Sequence, residues 1–205
     1  MKLHKPLSLF PLQMVLFPGG LLLLKVFEAR YLDLVGQCLR NREPFGVVCL
    51  RHGAEVGANE KGVRIEETGV LAAIDDVDSE QQGILRVRCT GLQRFRLSEA
   101  PVQQANGLWV AAAELLDDDE LQAPAETMRA TVEALSQAAA TLKEKGAVPF
   151  VEPMRLDDAG WVANRWCELL PISLAAKQKL MELDDPGMRL QLVDEFLRSR
   201  QVVRK

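Results

Sequence analysis

Arg86, Arg88, Arg94 and Arg96 stand at alternate positions in two short β-type stretches, residues 84–90 and 92–97. If these stretches pair across a tight turn at Gly91, the four guanidiniums share one sheet face. Such a face can grip carboxylates or a phosphate through bidentate hydrogen bonds. The alternative is an outer sheet face whose arginines pair with nearby acids. A second constellation is Phe27, Glu28, Arg30 and Tyr31, just after the apolar run Leu21–Leu24. Glu28 near a helix start is favoured by the dipole whatever the function. Either Glu28 and Arg30 pair beside a docked helix, or Phe27 and Tyr31 line a groove for extended apolar segments.

Other chemistry is harder to place. No G-x-x-x-x-G-K-[ST] phosphate loop occurs, since Lys61-Gly62 and Lys145-Gly146 have the order reversed. The six serines match neither a serine–lysine protease motif nor a G-x-S-x-G elbow. Cys38, Cys49, Cys89 and Cys167 are scattered, and His4 and His52 stand apart from them, so no zinc spacing appears. Isolated cysteines in apolar surroundings read as core residues of a protein in a reducing cytoplasm. The acidic runs at Asp75-Asp76-Val77-Asp78 and Asp117-Asp118-Asp119-Glu120 lack the glycine and terminal glutamate of a calcium loop. They read as solvated turns. No catalytic residue, metal or cofactor is expected.

The elements that must position these residues divide the chain. Leu7, Leu9, Met14 and Leu16 suggest short strands bounded by Pro and Gly. The run is too broken for a membrane-spanning helix and lacks a signal-peptide cleavage site. Tyr31, Leu34, Val35, Cys38 and Leu39 recur at helical spacing, predicting a helix over 27–40. Strands are expected at 44–50, 69–74, 84–90, 92–97 and 108–115, with loops at 53–68 and 75–83 and a hairpin at Asn106-Gly107.

Beyond Asp117 the pattern turns helical. Met128, Val132, Leu135, Ala139 and Leu142 form one seam ended by Gly146. Asp157 or Asp158, then Ser173, then Asp185-Pro186 mark three further helix starts. Trp161, Val162, Trp166, Leu169 and Leu170 are assigned to one apolar face, and Leu192, Val193, Phe196 and Leu197 to another. The chain therefore reads as a β-rich part, 1–118, and a helical part, 119–205. Charge follows the same division. Residues 1–116 carry as many acids as bases, so the net −4 falls on the remainder. Neutral charge and 5% aromatics argue against nucleic acid.

Four segments in order resemble the Lon N-terminal, or substrate-binding, domain of the ATP-dependent Lon protease. They are Pro6-Leu-Ser-Leu-Phe-Pro-Leu-Gln-Met-Val-Leu-Phe-Pro-Gly-Gly20 with the helix after it, Pro44-Phe-Gly-Val-Val, Thr90-Gly-Leu-Gln-Arg-Phe-Arg96, and Leu169-Leu-Pro-Ile-Ser-Leu-Ala-Ala-Lys-Gln-Lys-Leu-Met-Glu-Leu-Asp-Asp-Pro-Gly-Met-Arg-Leu190. One such motif is weak evidence, whereas four in order make chance resemblance improbable.

The resemblance implies an α+β fold: an N-terminal PUA-like β pseudobarrel with one early helix, followed by a C-terminal α-helical bundle. It implies a stand-alone, non-enzymatic module that captures protein or peptide segments, with a protease or a chaperone as partner. Neither nucleic acid nor membrane is an expected partner. A small-molecule or nucleotide sensor using the pseudobarrel cleft is the alternative, and RNA binding rests on fold analogy alone. Peptide capture requires an apolar groove, a sensor an enclosed polar pocket, and RNA binding a basic stripe.

Overall fold

The computed structural model describes residue 3 and residues 5–52 and 64–203. The fold is α+β, and the chain separates into two compact units, Met1–Asp118 and Asp119–Lys205.

Among its described residues the first unit holds an eight-stranded mixed sheet and one helix. Its strands are β1 (Leu7–Leu12), β2 (Leu21–Val26), β3 (Phe45–His52), β4 (Arg64–Gln81), β5 (Ile84–Leu97), β6 (Val102–Gln103), β7 (Trp109–Ala111) and β8 (Ala113–Leu115). They lie in the order β2-β5-β4-β3-β1-β7-β6, with β8 also paired to β5. Among the described residues only the β1·β3 pair is parallel, and its crossover carries helix α1 (Ala29–Asn41). Leu7, Leu9, Val48, Leu71, Phe95 and Leu97 form a buried cluster on the sheet. On α1, Tyr31, Leu34, Val35 and Cys38 are buried as their spacing requires. Leu39, expected on the same stripe, is exposed.

Several expected boundaries are corrected. Met14 and Leu16 lie in no strand, although Val15, Leu16 and Phe17 are buried. The stretch 64–68 is strand, while 53–63 lies outside the described residues. The acidic stretch 75–81 belongs to β4 and is not a turn. The stretches 84–90 and 92–97 do not pair with each other. They are one strand, and the chain reverses at Gly83, where φ is +79°.

Gly91 has a different reason to be glycine. A Cβ there would stand 2.4 Å from the Phe17 carbonyl oxygen. The turn at Pro18-Gly19-Gly20 closes onto it: Gly19 N–H donates to the Gly91 carbonyl, and Gly91 N–H to the Gly20 carbonyl, both at 2.8 Å. The expected strand 108–115 divides into β7 and β8, which pair with β1 and β5 respectively. The Asn106-Gly107 turn joins β6 to β7, with Gly107 at φ +83°.

The second unit holds a 3-10 turn (Glu126–Met128) and helices α2 (Arg129–Glu144), α3 (Ala159–Leu169), α4 (Leu174–Glu182) and α5 (Pro186–Ser199). Each of the last three starts at a side-chain cap. Asp158 accepts from Gly160 N and Trp161 N, Ser173 from Ala176 N, and Asp185 from Met188 N. Helix α3 is not amphipathic: residues 159–167 are buried all round, while Leu169 is partly exposed. Leu192, assigned to the buried face of α5, is 44% exposed, whereas Val193 and Leu197 are buried.

Asp158 is itself buried and also holds Arg155 at 2.6 Å. Asp158→Ala is expected to cost about 1–2 kcal/mol, more than Asp185→Ala at the exposed cap of α5. Urea denaturation checks this, and equal midpoints for both variants and the parent would contradict it.

Candidate binding site

Glu28 and Arg30 flank the first turn of α1 and form an ion pair at 2.9 Å. The other arm of Arg30 donates to the Gly107 carbonyl at 2.8 Å, tying the helix start to the β6–β7 turn. Its guanidinium lies 4.8 Å from the Tyr31 ring centroid. Tyr31 is buried and stacks on Phe10, centroids 3.9 Å apart. Three of the four residues singled out here therefore bind each other or the fold. Phe27 is 49% exposed and alone presents an apolar surface.

The four arginines of β5 do not share one environment. Arg86 stands opposite Asp78 on β4 and Lys25 on β2, and Arg88 opposite Asp76 and Leu23. The acidic stretch of β4 thus runs beside this part of β5 in antiparallel register. Arg96 is exposed, opposite Thr68 and Glu114. Arg94 is only 3% exposed, and its guanidinium reaches the Asp117 carbonyl. Its own carbonyl accepts from Leu116 N at 2.9 Å, so Arg94 helps anchor the end of the unit. The face that a tight turn at Gly91 would create does not exist, because the bend is absent. What the geometry provides instead is an outer surface of β2, β5 and β4 on which Leu23, Arg86, Arg88, Leu92, Asp76 and Asp78 are exposed.

Two open clefts also mark this unit. One, of about 470 Å³, is lined by Ile65, Leu97, Pro101 and Trp109, with Arg64 and Glu99 at polar positions. Arg51, on its wall, is held by Glu66 at 2.5 Å. The other, of about 350 Å³, lies between the start of β1 and α1, with Leu7, Leu34, Cys38 and Leu71 among its lining residues. The exposed pair Lys5–Glu43, at 3.4 Å, stands on it. Sequence reasoning missed both clefts, since their residues come from segments far apart in the chain. No group of three or more His, Cys, Asp or Glu could hold a metal among the described residues.

A model of the ATP-dependent protease La (LON) substrate-binding domain matches residues 6–199. The chain belongs to this family. Among solved structures, the Lon N-terminal domain protein from Xanthomonas campestris is 32% identical, with a TM-score of 0.72, over 92% of this chain and 96% of that one. The N-terminal domain of Mycobacterium avium complex Lon protease aligns over 95% of this chain and 98% of its own, at 20% identity and a TM-score of 0.58, which supports the fold. Comparison with curated proteins finds no match. The domain is the substrate-recognition part of its family, and no described helix is long and apolar enough to cross a membrane.

The cysteines of this Lon substrate-binding domain are Cys38, Cys49, Cys89 and Cys167. All four are buried and free. Burial pushes the Cys38 and Cys49 thiols up to about 11 and those of Cys89 and Cys167 up to about 12. The native thiols therefore stay protonated at pH 8 and are expected to alkylate at least about 100-fold more slowly than in denaturant. Mass spectrometry after brief iodoacetamide treatment checks this, and full labelling of the native chain would contradict it. The folded state holds these protons more tightly than the unfolded state, whose thiols ionise near 9. The linked contribution is therefore complete below about pH 9 and is lost as pH rises through 11 to 12.

Proposed function

We propose that this Lon substrate-binding domain is a non-enzymatic module that captures protein or peptide segments and passes them to a protease or chaperone in the cytoplasm. The finer architecture proposed is a PUA-like pseudobarrel over 1–118 and a helical bundle over 119–205. The observation that carries the reading is the outer surface of β2 and β5. It exposes Leu23 and Leu92 beside Arg86 and Arg88, an apolar surface with a charged border that suits unfolded chain. Phe27, following directly on β2, adds a further exposed ring. A second reading, a small-molecule or nucleotide sensor, is favoured by the cleft holding Trp109 and Arg64, which offers an indole and a guanidinium to one ligand.

Fluorescence anisotropy with a labelled polypeptide, reduced and alkylated so that it cannot fold, tests the first reading. The intact chain is expected to bind it and to ignore the same polypeptide in its folded form. No binding of the unfolded form, together with a thermal shift on adding nucleotides, would move the sensor reading to first place.

A further inference from the structure

Among the described residues three strands, β2, β6 and β8, have a single partner, and β8 is only three residues long. At one end of the sheet β6 has two residues and follows Pro101, the short, proline-flanked form that resists strand addition. At the other end β2 has six residues, Leu21–Val26, with no proline and an unbroken register to β5. In an antiparallel ladder, every second residue turns its N–H and C=O away from its partner. β5 is the only strand paired to β2 among the described residues. Among the described residues, no backbone hydrogen bond from outside that ladder reaches Leu21, Leu22, Leu23, Leu24 or Val26. β2 therefore offers a row of backbone donors and acceptors spaced for an extended chain.

The side chains beside that row say which extended chain fits. Leu22 and Val26 point into the core, so Leu21, Leu23 and Lys25 take the outer face. Leu23 is 70% exposed. Arg88 stands directly across from it on β5, exposed and without an ion pair among the described residues. An incoming strand on this face meets a leucine surface and, one strand further in, a guanidinium that lacks a bound carboxylate. A second copy of β2 would bring only leucines, a lysine and a valine, and no acid for Arg88.

We propose that β2 takes an added β-strand from an extended polypeptide that alternates apolar and acidic side chains. The inference rests on the capture reading and gives it a place and a mode. Main-chain hydrogen bonds supply affinity that tolerates varied sequence. Leu23 and Arg88 bias the choice through apolar contact and a charge-assisted hydrogen bond.

The test uses the intact chain and a fluorescein-labelled octapeptide of alternating valine and glutamate. Two further peptides are N-methylated on the valines alone or on the glutamates alone. The unmodified peptide is expected to bind and to slow amide exchange across Leu21–Val26. One methylated peptide should lose about tenfold or more in affinity, because only one set of N–H groups faces β2. Leu23→Glu, a change at an exposed site, should weaken binding about tenfold.

Equal binding by all three peptides would overturn the proposal, as would unchanged binding by Leu23→Glu. So would a dimer of the free chain that Leu23→Glu dissociates. If the unfolded polypeptide still binds while Leu23→Glu has no effect, the edge fails and capture stands. If neither probe binds, capture itself fails.

Discussion

Arg189→Met is expected to cost the helical unit about 3–5 kcal/mol, the loss typical when one partner of a buried ion pair is removed. Arg189 is 1% exposed, and its five N–H donors make five hydrogen bonds. Two go to the two carboxylate oxygens of Asp119, at 2.6 and 3.2 Å. One goes to Asn164 Oδ1 at 3.0 Å. The other two reach the carbonyls of Leu180 and Leu183 at the end of α4. One side chain on α5 therefore closes the C-terminus of α4 and holds the segment entering the unit. Methionine keeps most of the volume and removes all five of those hydrogen bonds. The double variant Arg189→Met with Asp119→Leu should recover part of the loss, because it removes the stranded charge. It cannot recover all, since the hydrogen bonds from Arg189 to Asn164 and to the Leu180 and Leu183 carbonyls stay lost. Urea denaturation of the parent, the two single variants and the double variant measures this. An Arg189→Met cost below about 1 kcal/mol would put the pair among ion pairs of surface strength and contradict the account.

Gly69→Ala carries the second large effect, expected at about 3 kcal/mol, the upper part of the range for overpacked cores. A Cβ at Gly69 would stand 2.3 Å from the Val47 carbonyl oxygen and 2.7 Å from Phe95 Cζ. The ring can move, but the carbonyl is fixed by the β3·β4 ladder, in which Val47 faces Val70. Gly46 offers the control. Its added Cβ would meet side chains only, of Leu7, Phe95 and Leu9, at 2.7 to 2.9 Å. Trimming Phe95 to leucine should therefore relieve part of a Gly46→Ala defect and little of a Gly69→Ala defect. Thermal melts of the four variants decide it. Equal rescue at both glycines would contradict the assignment of the Val47 carbonyl as the obstacle.

The legible parts of the fold were those written in local chemistry. Caps at Asp158, Ser173 and Asp185 follow from a polar side chain reaching its own helix start, which needs no distant partner. The buried face of α1 follows from spacing. What escaped the sequence depends on distant neighbours. Gly91 looks like a turn residue, yet it sits mid-strand because the 17–20 turn packs against its backbone. The acidic stretch at 75–81 looks like a solvated loop, yet β4 continues through it opposite Arg86 and Arg88.

The candidate site shows the same division. Pairing of Glu28 with Arg30 is local and was foreseeable. The burial of Arg94 was not, since nothing in its strand pattern separates it from exposed Arg96. The buried polar residues Thr131, Asn164, Arg165, Arg189 and Asp194 were equally hidden. Each lies on a helix face that composition alone would leave to solvent. Thr131 donates to Asp194, and Arg165 holds Glu168 at 2.7 Å, so their partners become visible only once the helices are packed.

The central claim is that the β-rich unit holds extended polypeptide. Hydrogen exchange on the intact chain, with and without the reduced and alkylated polypeptide, tests it most directly. The account predicts slower exchange confined to the β-rich unit and strongest across Leu21–Val26 of β2. Unchanged exchange throughout residues 5–118 at saturating polypeptide would contradict it.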